Sequence, residues 1–188
     1  MKTKLMPAFL LGLAVGMIGV LPSAARTKSI PPGPVQIPSQ EYLRQEVRHQ
    51  LVMLPYYSVF DNLEFRLQGY TVELSGQVAW PTLKSDAENV VKRIEGVEKV
   101  VNHIEVLPVS FNDDRIRRAE FRAIYGNPQL DRYALQVVPP IHIIVKNGNV
   151  TLMGTVASKM DRNIANLKAN GVAGVFSVTN DLRVEHEG

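Results

Sequence analysis

The chain writes one phrase twice. GVEKVVNHIEV, residues 96–106, returns as GVFSVTNDLRV, residues 174–184, with Gly, Val, Val, Asn and the final Val in the same places. Laid over one another at an offset of 78 residues without gaps, 69–106 and 147–184 agree at 11 of 38 positions, among them Leu74/Leu152, Gly76/Gly154, Ala87/Ala165 and Asn102/Asn180. An internal repeat restricts a fold more than any composition does, because each copy must be one supersecondary unit. It divides 188 residues into two small domains. In the middle of the repeat the apolar phase fits better after a shift of one residue, which pairs Leu83, Ala87 and Val90 with Met160, Ile164 and Leu167.

Each copy follows one plan. Leu43, Val47, Leu51 and Leu54 recur at helical spacing, and Pro55 ends that helix. Leu63, Phe65 and Leu67 alternate, Gln68-Gly69 turns the chain, and Val72, Leu74, Gly76 and Val78 alternate back as a hairpin. Leu83, Ala87, Val90, Val91 and Ile94 mark a second helix, with Gly96 as its left-handed stop. Val100, Asn102, Ile104 and Val106 then read as one strand. In copy two, Ile116, Ala119 and Ala123 give the core face of the first helix, capped by Asn112 or Asp113. Asn147-Gly148 supplies a favoured hairpin turn. The expected class is α+β: two tandem α-β-β-α-β domains, each a three-stranded sheet packed against two helices. Asn102 and Asn180 fall on the inward parity, so each is expected to be buried and hydrogen-bonded to a neighbouring loop or helix end.

Copy two is longer before its hairpin. The extra stretch, LDRYALQVVPP, is expected to pack Leu130, Tyr133, Leu135, Val137 and Val138 as a lid over its own core or over the seam between domains, with a ligand-facing loop as the other reading. In copy one, Tyr42, Tyr56, Tyr57, Phe60 and Trp80 gather at helix ends and loops, where local packing is expected.

The N-terminus has a separate purpose. Lys2 and Lys4 precede an apolar run from Ala8 to Leu21, and Ser23-Ala24-Ala25 follows. Residues 1–25 read as a secretory signal peptide cleaved after Ala25, with an uncleaved anchor as the alternative. Residues 26–40 hold four prolines and a glycine and read as a Pro-rich linker. Domain one is placed at 41–109 and domain two at 112–186. Loss of Lys2 and Lys4 leaves 19 basic against 18 acidic side chains, so the exported chain is a poor nucleic-acid binder. With no cysteine, a disulfide framework, a thiolate metal site and a cysteine nucleophile are excluded. His49, His103, His142 and His186 lack metal-ligand spacing, and no nucleophile, phosphate-loop or paired-carboxylate motif stands out. No cofactor, metal or enzymatic activity is expected.

A helix, a hairpin with V.L.G.V, a second helix and then GV..V.N...V, written twice behind a signal peptide, resembles the BON domain family (bacterial OsmY and nodulation). The resemblance spans residues 41–185. It implies the α-β-β-α-β fold, residence in the periplasm or cell envelope, and an association with phospholipid, envelope integrity and osmotic stress. It implies no catalytic site. Gly76, Gly96, Gly154, Gly174, Asn102 and Asn180 carry the motif and read as structural.

Binding is sought on FNDDRIRRAEFRAIYG, residues 111–126. With Ile116 at the centre of the core face, Phe121 and Tyr125 fall far round the helix beside Arg118 and Arg122. Two aromatics flanked by arginines suit the headgroup region of an anionic bilayer. Arg118, Phe121, Arg122 and Tyr125 are therefore the candidate lipid-binding residues, the second domain being the one that double-BON proteins are reported to use. The competing readings are packing of Phe121 and Tyr125 against domain one, and a protein-binding or chaperone-like stress module with a partner in the envelope.

Overall fold

Ser39 and Ser110 start the two domains in the same way. Each sits in extended backbone with its hydroxyl accepting the amide three residues on, Tyr42 N–H and Asp113 N–H. Serine thus takes the capping position expected of Asn112 or Asp113. The computed structural model describes residues 38–185. The expected signal peptide, the linker up to residue 37 and residue 186 lie outside the described residues.

Domain one runs α1 (Gln40–Val52), β1 (Asn62–Gln68), β2 (Thr71–Val78), α2 (Pro81–Lys92), β3 (Lys99–Asn102) and β4 (Glu105–Val106). Domain two runs α3 (Phe111–Tyr125), a 3-10 turn (Asp131–Leu135), β5 (Ile141–Lys146), β6 (Asn149–Val156), α4 (Lys159–Asn170), β7 (Ser177–Asn180) and β8 (Arg183–Val184). The expected α-β-β-α-β order holds in both. β1 is antiparallel to β2, and the helical crossover returns β3 and β4 parallel to β2 on its other side. β5 to β8 repeat this arrangement.

The expected last strand is two short pieces in each copy, and the repeated asparagine makes the break. Asn102 Oδ1 accepts the Ile104 amide while its Nδ2 donates to Lys84 O and to Glu88. Asn180 Oδ1 accepts the Leu182 amide and its Nδ2 donates to Arg162 O. A local side-chain bond of this kind competes with the ladder. It turns the chain inward so that Ile104 and Leu182 fill the core, and it ties the strand to the preceding helix. Both asparagines are half-buried rather than fully buried.

The helix phase in copy two differs from the shifted alignment. α4 buries Asp161, Ala165 and Ala169, the unshifted counterparts of Leu83, Ala87 and Val91 on α2. Met160 and Leu167 are exposed instead. Asp161 can replace a leucine because its Oδ2 accepts from Tyr133 OH, Ser158 Oγ and Arg132 Nη2 at 2.6–3.0 Å. Burial alone would raise that carboxyl, but these donors hold it below its ordinary value. Tyr133 OH also takes the Ala157 amide, the task that Asp61 performs for Ala79 in domain one.

The two domains pack together, and the clasp is lopsided. Val59, from the loop before β1, is buried among the core residues of domain two. Its carbonyl accepts the outward amide of Ile143 on the edge strand β5, at 2.6 Å. Beside it, His142 Nδ1 bonds Asp61 O, and the Tyr57 ring stacks on the imidazole. Burial lowers the pKa of His142, an effect the Asp61 carbonyl opposes. Asn62 reaches Met153, and Lys146 pairs with Glu105. Burying one valine this way contributes roughly 1.5–3 kcal/mol.

Candidate docking face

α3 and α4 lie side by side over one face of the β5–β8 sheet, so their outer sides form one surface. The buried side of α3 comprises Asp113, Ile116, Arg117, Glu120, Ile124 and Tyr125. Its centre is rotated from Ile116 towards Arg117 by roughly 75° at 100° per residue. Three polar anchors cause the rotation. Asp113 accepts the Asn147 and Gly148 amides at 2.8 Å and so closes the hairpin turn. Arg117 donates to Val145 O and pairs with Asp114. The Tyr125 hydroxyl donates to Ile141 O and accepts the Ile141 amide.

This rotation corrects the lipid-contact set. Tyr125 is 5% exposed and belongs to the core; it does not face outward. Burial raises its phenol pKa further. Phe121 is 38% exposed and turns sideways, towards Tyr125 and towards Phe60 of domain one. Arg118 and Arg122 do point outward, joined by Arg115, which sequence reasoning had not chosen. Arg115 lies across the Gly174 turn, close enough that a side chain there would strike its guanidinium.

The surface that results is predominantly basic. α3 and α4 contain four acidic residues. Asp113, Glu120 and Asp161 are buried, and Asp114 is paired with Arg117. Arg115, Arg118, Arg122 and Lys168 remain on the outside. Among them stand exposed apolar side chains: Met160 and Leu167 on α4, Phe111 at the start of α3, and Phe176 just past Gly174. Glu120 is fully buried with no hydrogen-bond partner for either oxygen among the described residues, and burial pushes its carboxyl up to about 8. It stands where Val47 stands on α1, midway between buried Ile116 and Ile124 as Val47 is between Leu43 and Leu51.

The BON domain family model matches residues 39–108 and again 113–186. The chain belongs to the BON domain family. No curated protein matches it. Among solved structures it is similar to the C-terminal domain of CdsD, the structural protein of the type III secretion system of Chlamydia trachomatis. Identity there is 12% over 78% of this chain and 99% of that chain, with a TM-score of 0.29. A second CdsD structure gives 13% identity over 76% of this chain and 91% of that one, with a TM-score of 0.28. At those scores neither likeness informs fold or function.

The first BON domain lacks this predominantly basic surface. Its helices interleave charges: Glu41 with Arg44 on α1, and Glu88 with Lys92 on α2. A mixed face of this kind is an ordinary solvated one. No group of three or more metal-ligating side chains exists among the described residues, and none of their helices is long and apolar enough to cross a membrane.

Proposed function

We propose that this double-BON protein is exported and serves as a non-enzymatic envelope component that docks its second BON domain on anionic phospholipid, in support of envelope integrity or osmotic tolerance. The observation that carries the reading is the burial of three of the four acidic side chains of α3 and α4, the fourth, half-exposed Asp114, being paired with Arg117. Arg115, Arg118, Arg122 and Lys168 would meet lipid phosphates, while Phe111, Leu167, Met160 and Phe176 would enter the headgroup boundary. Phe121 flanks this face, and Tyr125 supports it from inside.

The test is co-sedimentation of the full chain with anionic and zwitterionic vesicles at low and high salt. Each basic residue near an anionic surface contributes about 1 kcal/mol, so Arg118→Gln/Arg122→Gln is expected to weaken binding about 30-fold. Binding to anionic vesicles should also fall with salt. Equal pelleting with zwitterionic vesicles, or an unaffected double variant, would sink the proposal and favour a protein partner.

A further inference from the structure

The two domains share a clasp site, yet among the described residues only one is occupied. Gly76 faces Asn62 O as Gly154 faces Pro140 O, which aligns Asn62 with Pro140, and the segments before β1 and β5 are matched by counting back along the chain from there. Val59 of domain one therefore corresponds to Val137 of domain two, and Tyr57 to Leu135. Val59 is 6% exposed because it is clasped against β5; Val137 is 101% exposed and Leu135 88%. The expected lid is not one: only Leu130 and Tyr133 of that loop are buried. Domain two thus presents the clasping segment with nothing in its grip among the described residues.

The matching receptor lies on domain one. Phe65 pairs with Leu74 in the register in which Ile143 pairs with Leu152. The Ile143 amide points away from its sheet to reach Val59 O, so the Phe65 amide points away from β1 in the same manner. Tyr57 OH sits by the Leu63 amide as Tyr125 OH does by Ile141. Beyond that point the β1 edge is unpaired among the described residues, and it borders a cleft of about 860 Å³ whose far wall is formed by Met153–Thr155 and Asn180–Arg183 of domain two. Side-chain burial follows suit. Ile141, Ile143 and Val145 are fully buried, whereas Leu63, Phe65 and Leu67 are only partly covered.

We infer that this protein self-associates head to tail, with residues 135–138 of one copy laid along the β1 edge of the next as residues 57–60 lie along β5 within the chain. The occupant is a second copy because the donor and the receptor both repeat an interface already formed inside the molecule. Such a contact is heterologous and leaves a free donor and a free receptor at the ends of any open assembly. The mode is strand-edge addition with one apolar anchor, Val137.

The full chain has no cysteine, which makes the test clean. Glu64→Cys and Leu135→Cys occupy the places of His142 and Tyr57, whose rings stack at 5.7 Å. Mixed and treated with a short bifunctional thiol crosslinker, whose spacer relaxes the strict distance a direct disulfide demands, these two single variants are expected to form the mixed dimer at least tenfold more than Glu64→Cys with Val109→Cys, a fully exposed control. Adding Val137→Asp to the Leu135→Cys partner should abolish the excess without altering the monomer, since Val137 touches nothing it would unfold. Sedimentation of the unmodified chain should show size growing with concentration. A monomer at every concentration, or crosslinking no better than the control, overturns the inference and leaves the β1 edge to a segment of another protein. No lipid is present, so the outcome is independent of membrane docking.

Discussion

Gly154→Ala is expected to lower stability by about 3 kcal/mol or more, shifting the thermal midpoint by roughly 10 °C for a chain of this size. Gly154 has φ +113°, where L side chains rarely sit, and a Cβ there would lie 1.9 Å from Pro140 O. That oxygen is backbone, tied to the Thr155 amide, so relief requires parting β5 from β6. Gly76→Ala should behave alike, its Cβ being 2.1 Å from Asn62 O. Gly69 supplies the control. It also has positive φ, but nothing lies within 4 Å, so Gly69→Ala should cost only the left-handed strain of about 1–2 kcal/mol. Urea denaturation followed by circular dichroism separates them; equal midpoints for Gly69→Ala and Gly154→Ala would remove the clash as the cause.

The second large effect comes from Glu120. Its folded pKa of about 8 lies above its ordinary 4.5, so the folded protein holds a proton that the unfolded chain releases. The contribution is full below about 4.5 and is lost as pH rises towards 8, after which it is flat. Stability should therefore fall with rising pH across that window. His142 slopes the other way: its folded pKa is lowered, so its term is lost as pH drops below 6.5. Subtracting the Glu120→Gln profile from that of the parent cancels His142 and isolates the carboxyl. Glu120→Leu should remove the slope and add roughly 2–4 kcal/mol near pH 8, since an apolar side chain of similar volume replaces an uncompensated buried group. Urea midpoints from pH 5 to 8 decide the matter, and parallel profiles for parent and Glu120→Gln would refute it.

The fold was legible because period and punctuation agreed. Alternation in β1, β2, β5 and β6, glycines at the turns and the repeated asparagine all pointed to one plan. The helix phases of domain two were not legible for one reason: polar residues took core positions. Asp161 holds the place of Leu83 and Glu120 that of Val47, so a search for apolar spacing slid along α4 to Met160 and Leu167. On α3 it centred on Ile116 and sent Tyr125 outward, because Arg117 and Asp113 do not look like buried residues. A hint was present in the ungapped repeat, where Ala87 met Ala165. Arg118 and Arg122 were legible as outward; Arg115 and the apolar residues of α4 were not, since their placement depends on those phases. The clasp had no sequence signal, as Val59 in a loop reads as any loop residue.

That clasp changes what counts as a module in this protein. Domain two is not finished by its own residues, because Val59 completes its interior and Val59–Asp61 closes its strand edge. Synthesis from the N-terminus delivers the closing piece first, already mounted on a folded support. Gene rearrangements face the reverse asymmetry: the leading domain can be lost or exchanged only along with part of its neighbour's core. A duplicated pair held in this way evolves as one inherited object, even though it is still written as two.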